Sequence, residues 1–435
     1  MLHRMVCLVW VALAVVLGAP PLAGGLEAGV GVADLTPDTT ALQVQLGGYG
    51  ERMGAPATGV HDAIMAKAIV FKDGERRFAL VSADLLGIPR SLREEVLLRL
   101  EGTGIASENF MLSASHSHAS IEMAAMNRSN IFGNKAIGTF DEKLLVHAAD
   151  RIAQAVQAAN ADFQEIRFGS AALEVPGMNR NRRDDVITDN EMTLFRVDKA
   201  DGTPWLAYVN YTAHPTFTNE KTMVVSADWP GYLQRTVEAF MAPGVICMYA
   251  NGAEGDTAPA GASGPSEFAR AEDYGQKLAV QAVEAIEGIK TAPVKTFKFE
   301  LLTLDLPERK APPALKDSAG PEYGMTEENI EALVKQMVPE DSYLGVFQID
   351  EVMGIAIPGE LAAVLGIEIK DALKEAGVKH PYIAGLTNEW VSYMLPAEEY
   401  TQGGYEPGVS FYGDTLGPVV VEQAIAAGKG LLTGK

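Results

Sequence analysis

The pattern of apolar and polar positions along the chain alternates between two periods. Short apolar runs rich in β-branched residues predict strands, and stretches with apolar residues every three to four positions lie between several of them. The strand-like runs cover residues 66–71, 76–83, 191–197, 204–211, 244–250 and 346–357. Alternation of this kind favours an α/β fold in which mixed β-sheets are layered with helices.

Residues that satisfy free backbone groups mark the predicted helix starts. Ser91 and Glu94 form a predicted capping box for a helix over 91–101, and Asp228 precedes Pro230 at the start of another. Further helices are predicted over 141–159, 266–288, 359–376 and 418–428. By contrast, the proline-rich stretch 306–325 interrupts regular structure, and we interpret it as a surface excursion or a hinge.

The first 24 residues have the pattern of a secretory signal peptide. Arg4 precedes a run of apolar residues, and small residues follow that run. An anchoring helix is the alternative, but it needs about 20 continuous apolar residues, and Pro20 interrupts the run too early. We therefore expect residues 1–24 to be cleaved and residues 25–435 to form a secreted or periplasmic catalytic domain.

Composition narrows the classes of function. Of the 435 residues, 47% are hydrophobic, which provides enough apolar material for a large core. The chain has 35 Lys and Arg against 57 Asp and Glu, a formal net charge of −22, so nucleic acid is not an expected partner. The two cysteines are Cys7 and Cys247, and Cys7 lies in the predicted leader, so the mature chain would have no internal disulfide.

Three histidines follow strand-like runs and are candidates for a metal site. His116 and His118 lie two positions apart, so both imidazoles can converge on one ion, or one can bind it while the other lies beside it. Two surface histidines in a loop are the alternative interpretation. His214 comes just after the run 204–211, and binding groups in α/β sheets collect at such strand ends. The histidines without such a context, which we do not expect to be ligands, are His61, His147 and His380.

Acidic residues lie close to two further predicted strand ends. The glycine-spaced loop 250–259 contains Glu254 and Asp256, although a tight turn alone would also explain its glycines. Glu360 follows a long apolar run and opens a predicted helix, where a carboxylate interacts favourably with the helix dipole. The other interpretation is a metal ligand held at a strand–helix junction, and the pattern leaves both open.

These segments, in this order, resemble the catalytic region of the neutral, non-lysosomal ceramidases, zinc amidases that cleave the amide of ceramide. The likeness extends from about Gly29 to Gly417 and includes Gly-Val-Ala-Asp-Leu-Thr at 31–36 and Ser-Ala-Asp at 82–84. The zinc ligands that the resemblance implies are His116, His214, Glu360 and Tyr393. The residues that it places on substrate-polarising and oxyanion-contacting positions are His118, Arg180 and Tyr405.

The resemblance implies a secreted zinc enzyme that hydrolyses an N-acyl bond. A zinc-bound water with a pKa near 7 would be the nucleophile, and His118 would carry protons. Arg180 and Tyr405 would stabilise the oxyanion. The residues expected to support the ligands are Glu254, Asp256 and Thr257. Nitrogen and oxygen donors would also permit manganese or iron. We expect ceramide or another N-acyl lipid as the substrate, with transient contact to a membrane surface.

Departures from the family pattern affect substrate handling more than metal binding. The family motif Gly-Asp-x-Ser-Pro reads Gly-Asp-Thr-Ala-Pro at 255–259, so Ala258 replaces a serine that contacts the substrate and has been assigned as the nucleophile. The glycine-rich stretch after the histidine pair is replaced by 119–122, and a C-terminal immunoglobulin-like domain is not expected. The alternative functions are therefore ester hydrolysis at the same site and a non-catalytic, secreted metal-binding protein.

Overall fold

The computed structural model describes residues 25–183 and 186–434, and the predicted signal peptide lies outside them. The strands are β1 (Glu27–Asp34), β2 (Gly59–Val60), β3 (Met65–Asp73), β4 (Arg76–Ala83), β5 (Phe110–Ala114), β6 (Gln164–Glu174), β7 (Asn179–Asn181), β8 (Glu191–Lys199), β9 (Pro204–Tyr211), β10 (Val224–Val225), β11 (Ile246–Asn251), β12 (Thr257–Pro259), β13 (Ala292–Pro293), β14 (Phe297–Leu304), β15 (Ser342–Ile349), β16 (Val352–Ala356), β17 (Glu360–Leu361), β18 (His380–Ala384) and β19 (Tyr393–Met394).

The α-helices are α1 (Arg90–Arg99), α2 (Glu142–Ala159), α3 (Asp228–Phe240), α4 (Glu267–Glu287), α5 (Ala319–Glu322), α6 (Ile330–Met337), α7 (Ala363–Glu375), α8 (Ala397–Gln402), α9 (Tyr405–Gly408) and α10 (Leu416–Thr433). Short 3-10 turns lie at Gly50–Arg52, Ser107–Asn109, Met123–Met126 and Leu315–Asp317. Within the described ranges, no helix is long and apolar enough to cross a membrane.

Two mixed sheets pack against each other and share one aromatic core. The larger sheet has nine strands in the order β11-β9-β8-β6-β1-β3-β4-β5, with β13 paired to β6, and the smaller has the order β14-β15-β16-β18. Phe71, Phe78 and Phe195 of the larger sheet lie in one buried cluster with Phe347 and Tyr382 of the smaller sheet. The predicted fold class is thus confirmed: mixed sheets are layered with helices.

Helices cover the outer faces of both sheets. Helices α1 and α2 pack on the strands around β3 and β4, and α3 and α4 pack on β8, β9 and β11. Helices α7 and α10 cover the smaller sheet. Strands β3, β4, β8, β9 and β11 are therefore largely buried on both faces, which explains why they are continuous apolar runs without the alternation typical of a solvated sheet.

The larger sheet curls until its two edge strands meet. In the hydrogen-bonded order of the sheet, β11 is the edge strand on one side and β5 is the edge strand on the other. Nevertheless, the side-chain amide of Asn251 in β11 donates to the carbonyl of Ser115, just after β5, at 3.5 Å. The Ser82 hydroxyl in β4 likewise donates to the carbonyl of Tyr249 in β11. This closure brings together the loops that follow β5, β9 and β11.

Most predicted elements agree with the structure, with three differences at their boundaries. The run 346–357 is a hairpin of β15 and β16 that turns at Asp350, which has φ of 47°. The predicted capping box is wrong, because α1 follows Pro89 without a side-chain cap, and the Ser91 hydroxyl accepts from the backbone N–H of Arg128 at 3.1 Å. The helix predicted from 359 begins only at Ala363.

Candidate metal centre

The loops after four strands converge on one buried point. His116 lies two residues after β5, His214 three after β9, Glu254 three after β11 and Glu360 four after β16. Their side chains are buried, with residue exposures of 3%, 0%, 0% and 2% in that order. His116 adopts a positive φ of 73°, a strained backbone that persists only where the surroundings fix it. The fold therefore concentrates imidazoles and carboxylates where water has little access.

Both His116 and His214 direct the same ring nitrogen at Glu360. The Nε2 atom of His214 lies 3.1 Å from Glu360 Oε2, and the Nε2 atom of His116 lies 3.4 Å from the same oxygen. On the other side of each ring, Nδ1 donates to a backbone carbonyl. His116 Nδ1 donates to the carbonyl of Leu86 at 2.6 Å, and His214 Nδ1 donates to the carbonyl of Thr257 at 3.1 Å. Such a carbonyl fixes the tautomer and leaves Nε2 free to bind a metal ion.

Strand pairing places Glu360 beside Tyr393. The two residues are register partners in the short parallel pair of β17 and β19. The indole N–H of Trp390 donates to Glu360 Oε1 at 2.8 Å. Burial, together with the nearby Glu360 carboxylate, raises the pKa of the Tyr393 hydroxyl well above its ordinary value. Because Glu360 lies in a strand ahead of α7, its interpretation as a helix-dipole residue is wrong. The carboxylate at that helix start is Asp256, whose Oδ1 accepts from the backbone N–H of Ala363 at 2.8 Å.

Burial and neighbouring charges hold these groups in the protonation states that a metal ion requires. Burial, together with the nearby Arg182, lowers the pKa of His214 from 6.5 to about 3, so its ring is neutral near pH 7. Burial alone would raise the pKa of Glu360, but the adjacent imidazoles of His116 and His214 hold it well below its ordinary value. A neutral imidazole and an ionised carboxylate are the forms that bind metal.

The donor atoms are close enough together to hold a metal ion. The ligand atoms of His116, Glu254 and Glu360 all lie within 4.8 Å of one another, and so do those of His116, His118 and His214. Nitrogen and oxygen donors of this kind suit zinc, and they also suit other first-row ions. The residues present therefore fit a divalent metal.

His118 differs from the other two imidazoles. Its Nε2 atom lies 3.3 Å from that of His116, but among the described residues its buried Nδ1 atom has no hydrogen-bond partner. The ring packs on Tyr49, and Gly48 faces Nδ1 so closely that a Cβ there would lie 2.2 Å from it. Without a carbonyl behind it, His118 has no contact that fixes it as a ligand.

The comparisons with known proteins agree with this architecture. Residues 26–273 match the family described as neutral/alkaline non-lysosomal ceramidase, N-terminal. The chain belongs to this family. The resemblance inferred from the sequence is therefore confirmed at the level of the family.

This member of the ceramidase family matches different fractions of the lengths of its relatives. A neutral ceramidase from Pseudomonas aeruginosa is 24% identical over 471 residues, which covers 88% of this chain and 69% of that protein. A neutral ceramidase from Mycobacterium tuberculosis is 26% identical over 263 residues, 54% of this chain and 40% of that protein. The crystal structure of the P. aeruginosa neutral ceramidase has a TM-score of 0.79 at 22% identity and covers 94% of this chain and 75% of that one. That likeness establishes the fold.

The arginine predicted for the ceramidase-type site is displaced by two positions. Arg180 is exposed in β7, because side chains alternate along a strand and its neighbours Asn179 and Asn181 point inward. The guanidinium at the centre belongs to Arg182, which lies 6.0 Å from the centroid of the Tyr393 ring, pairs with Glu406 at 3.1 Å and donates to the carbonyl of Gly255 at 2.7 Å. The prediction of Arg180 is therefore corrected to Arg182.

The loop 254–257 supports the cluster in two ways. The carbonyl of Thr257 accepts from His214, and Asp256 accepts from the side-chain amide of Asn181 at 2.7 Å as well as from the start of α7. Glu254 behaves differently, since neither carboxylate oxygen has a hydrogen-bond partner in the part of the chain that the structure describes. Burial, with the nearby Glu360, raises the pKa of Glu254 well above its ordinary value.

A cavity of about 520 Å³ opens from the cluster. Its base includes His116, His118, Glu360 and Tyr393, and the Tyr405 hydroxyl lies 3.1 Å from that of Tyr323 on the wall. The apolar side chains that line the cavity are Ile137, Met325, Ile330, Leu333, Val334, Met337, Val338 and Phe411. Much of this wall comes from α6 and from the end of the stretch 306–325.

Sequence reasoning missed three side chains that contact the centre: Arg52, Arg182 and Trp390. Arg52 is buried and donates to the carbonyls of Gly47 and His118 at 2.7 and 2.5 Å. Nothing in the local pattern distinguishes Arg52, Arg182 or Trp390, and the strand period would place Arg182 on the same face as the exposed Arg180. The histidines not expected as ligands have other contacts: His147 bonds the carbonyl of Leu35, and His61 stacks on Phe268.

Proposed function

We propose that this protein is a zinc-dependent hydrolase that cleaves the amide bond of an N-acyl lipid, such as ceramide. The observation that carries the proposal is the convergence of His116, His214 and Glu360, beside Tyr393, at the base of a largely apolar cavity. Membership of the neutral ceramidase family supports the proposal. The buried nitrogen and oxygen donors support it as well, because they are the ligand types of catalytic zinc sites.

The residues that would hold the ion are His116, His214, Glu360 and Tyr393. When bound there, zinc would polarise the scissile carbonyl and lower the pKa of a coordinated water to about 7. This route needs no serine hydroxyl, which is consistent with the buried Ala258 in β12.

The other polar groups around the cluster would position the ligands and move protons. Arg182 would position the Tyr393 ring, near which its guanidinium lies, and Trp390 would orient Glu360. The His118 imidazole, next to His116, would accept and return a proton at Nε2. The Tyr405 hydroxyl at the cavity wall would donate to the oxygen that gains negative charge.

The cavity favours a substrate with an aliphatic chain. Its lining from α6 and its surroundings is apolar, and each methylene that leaves water contributes about 0.8 kcal/mol. A long acyl chain would therefore bind in the cavity while its amide faces the cluster. We expect transient contact with a membrane surface, because lipid substrates of this kind reside there.

A non-catalytic metal-binding protein is the second candidate, and the observation that favours it is Ala258. If the missing hydroxyl is essential, the site would bind zinc without turnover. Ester hydrolysis at the same centre would use the same groups, and it is tested in parallel with amides.

The decisive experiment is hydrolysis of paired N-acyl and O-acyl substrates with acyl chains from 2 to about 18 carbons, in the presence and absence of a chelator. We expect amide cleavage that rises with chain length, stops on chelation and returns with zinc. His118→Gln should retain zinc and lose most of the turnover. Stoichiometric zinc without chelator-sensitive turnover of any amide or ester would favour the binding protein.

We also propose that the protein is exported. Residues 1–24 have the leader pattern described above, and a single cysteine, Cys247, would remain after cleavage. Expression with the native N-terminus in a bacterial host, followed by mass spectrometry, should find the mature chain outside the cytoplasm and beginning near residue 25. Recovery of only uncleaved cytoplasmic protein would contradict export.

A further inference from the structure

Glu254 is held rigidly against the candidate metal centre. The backbone N–H of Gly255 donates to the carbonyl of Leu361 at 2.8 Å, and a Cβ at Gly255 would lie 2.5 Å from the carbonyl of Glu360. On the far side, a Cβ at Gly385 would lie 2.7 Å from Glu254 Oε2. Two glycines therefore allow the loop and its carboxylate to approach the cluster closely.

The carboxylate of Glu254 has no interaction that explains its burial. The residue is 0% exposed, and within the described ranges both of its oxygens lack a hydrogen-bond partner. One of them nevertheless belongs to the group of ligand atoms from His116 and Glu360 that lie within 4.8 Å of one another. A buried carboxylate without a partner is strongly unfavourable unless a cation compensates it.

The neighbouring Asp256 shows what a structural carboxylate looks like in the same loop. Its oxygens accept from Asn181, from Thr257 and from the first turn of α7. Protonation of Glu254 would remove its charge, but neither of its oxygens is reached by a hydrogen-bond donor from the described residues. A cation in the cluster would satisfy the carboxylate directly.

We propose that Glu254 is itself a ligand of the metal ion, in addition to His116, His214 and Glu360. The inference rests on the metal site of the proposed function. It gives the centre two carboxylates, whose combined charge matches that of a divalent ion. It also assigns a binding role to a residue that the sequence pattern placed only behind the ligands.

The test compares Glu254→Gln with Asp189→Asn. Asp189 is a buried carboxylate that is paired with Lys370, and both residues are distant in sequence from the loop 254–257. Zinc affinity is measured by competition with a chromophoric chelator, and the visible spectrum is recorded with cobalt in place of zinc. We expect E254Q to bind zinc at least about 100-fold more weakly than wild type and to change the cobalt spectrum, since loss of groups that merely orient ligands already costs about 10- to 100-fold. D189N should change neither.

A second readout separates a ligand from a structural acid. Zinc should raise the melting temperature of E254Q less than that of wild type, because the variant lacks one donor to the ion, and it should stabilise D189N as much as wild type. Unchanged affinity and an unchanged cobalt spectrum in E254Q would overturn the inference. If wild type itself binds no zinc, the proposed function fails as well. If wild type binds zinc and E254Q binds it equally well, only the inference about Glu254 fails, so the two failures are distinguishable.

A measurement on the wild-type protein keeps the inference testable if E254Q does not fold. In zinc-loaded crystals, a Glu254 oxygen should lie about 2.0–2.2 Å from the ion, the usual distance for a carboxylate ligand. A zinc ion bound by His116 and His214, with both Glu254 oxygens beyond contact distance, would overturn the inference and leave the proposed function intact.

Discussion

Two of the regions that contain buried carboxylates differ in how the charge of those carboxylates is balanced. Between β8 and α7, Lys370 pairs with Asp189 at 2.7 Å and lies 3.5 Å from Glu191, which pairs with Lys374 at 2.6 Å. At the candidate metal centre, Glu254 and Glu360 face imidazoles instead. Burial keeps His214 neutral near pH 7, so its ring brings no positive charge.

The difference separates a structural function from a binding function. In the first region the chain supplies its own cations, so the carboxylates join a strand to a helix without any external partner. In the second region the carboxylates face imidazole nitrogen donors, of which His214 is neutral near pH 7, and a divalent cation completes such an arrangement. Burial alone therefore does not identify a functional carboxylate, whereas burial with neither a counter-charge nor a hydrogen-bond donor, as at Glu254, points to one.

The largest expected effect on stability comes from removing a cation from the ion pairs between β8 and α7, where the chain supplies its own counter-charges. Lys370→Met removes the cation from a pair whose members are only 5–6% exposed, and leaves Asp189 buried and uncompensated. We expect a loss of about 3–5 kcal/mol in the free energy of unfolding, measured by urea denaturation of the metal-free protein. Zinc affinity should remain at the wild-type value, and a parallel loss of zinc binding would show that the two regions are not independent.

The complementary change removes a donor from the centre. His214→Ala should weaken zinc binding by more than about 100-fold, because the lost group contacts the ion and is not merely an orienting neighbour. Metal content after dialysis and the circular dichroism spectrum are the measurements. The chain should stay folded, and unchanged metal content in a folded variant would refute the assignment of His214.

Two arginines provide a matched pair for the surroundings of the centre. Arg182→Gln removes the guanidinium beside Tyr393, with its contacts to Glu406 and Gly255, and should lower zinc affinity by about 10-fold or more. Arg180→Gln changes an exposed side chain in the adjacent strand and should alter stability by no more than about 0.5 kcal/mol. Equal effects of the two substitutions on zinc affinity would contradict the correction from Arg180 to Arg182.

The smallest expected effect tests whether His118 lies beside the ion. Gly48 has φ of 85°, and a Cβ there would meet the His118 ring. Gly48→Ala should therefore displace His118 and cost about 1 kcal/mol of stability, while zinc affinity stays unchanged and turnover falls. A loss of zinc affinity comparable to that of H214A would instead identify His118 as a ligand.

Local sequence patterns predicted the secondary-structure elements better than the contacts between these elements. Apolar runs identified β3, β4, β8, β9 and β11, since buried strands must be apolar on both faces. They missed β6, whose centre is small and polar around Gly169 and Ser170, and β18, which has five residues and begins with His380. The true start of α7 was also missed, because the carboxylate at its start, Asp256, is distant in sequence.

The candidate site depends on contacts that a single sequence does not encode locally. His116 and Tyr393 are nearly 280 positions apart, and only the closure of the large sheet and the pairing of β17 with β19 bring them to the same point. The family resemblance predicted a ligand set, and the structure brings the side chains of that set together. The resemblance could not reveal the unpartnered carboxylate of Glu254, which becomes visible only when its surroundings are known.

The most direct test of the central claim is anomalous diffraction at the zinc edge from crystals of the zinc-loaded protein. The account predicts one strong peak within bonding distance of the Nε2 atoms of His116 and His214 and of the Glu360 carboxylate. Crystals that take up no zinc between these side chains, or that bind it only at surface carboxylates, would contradict it.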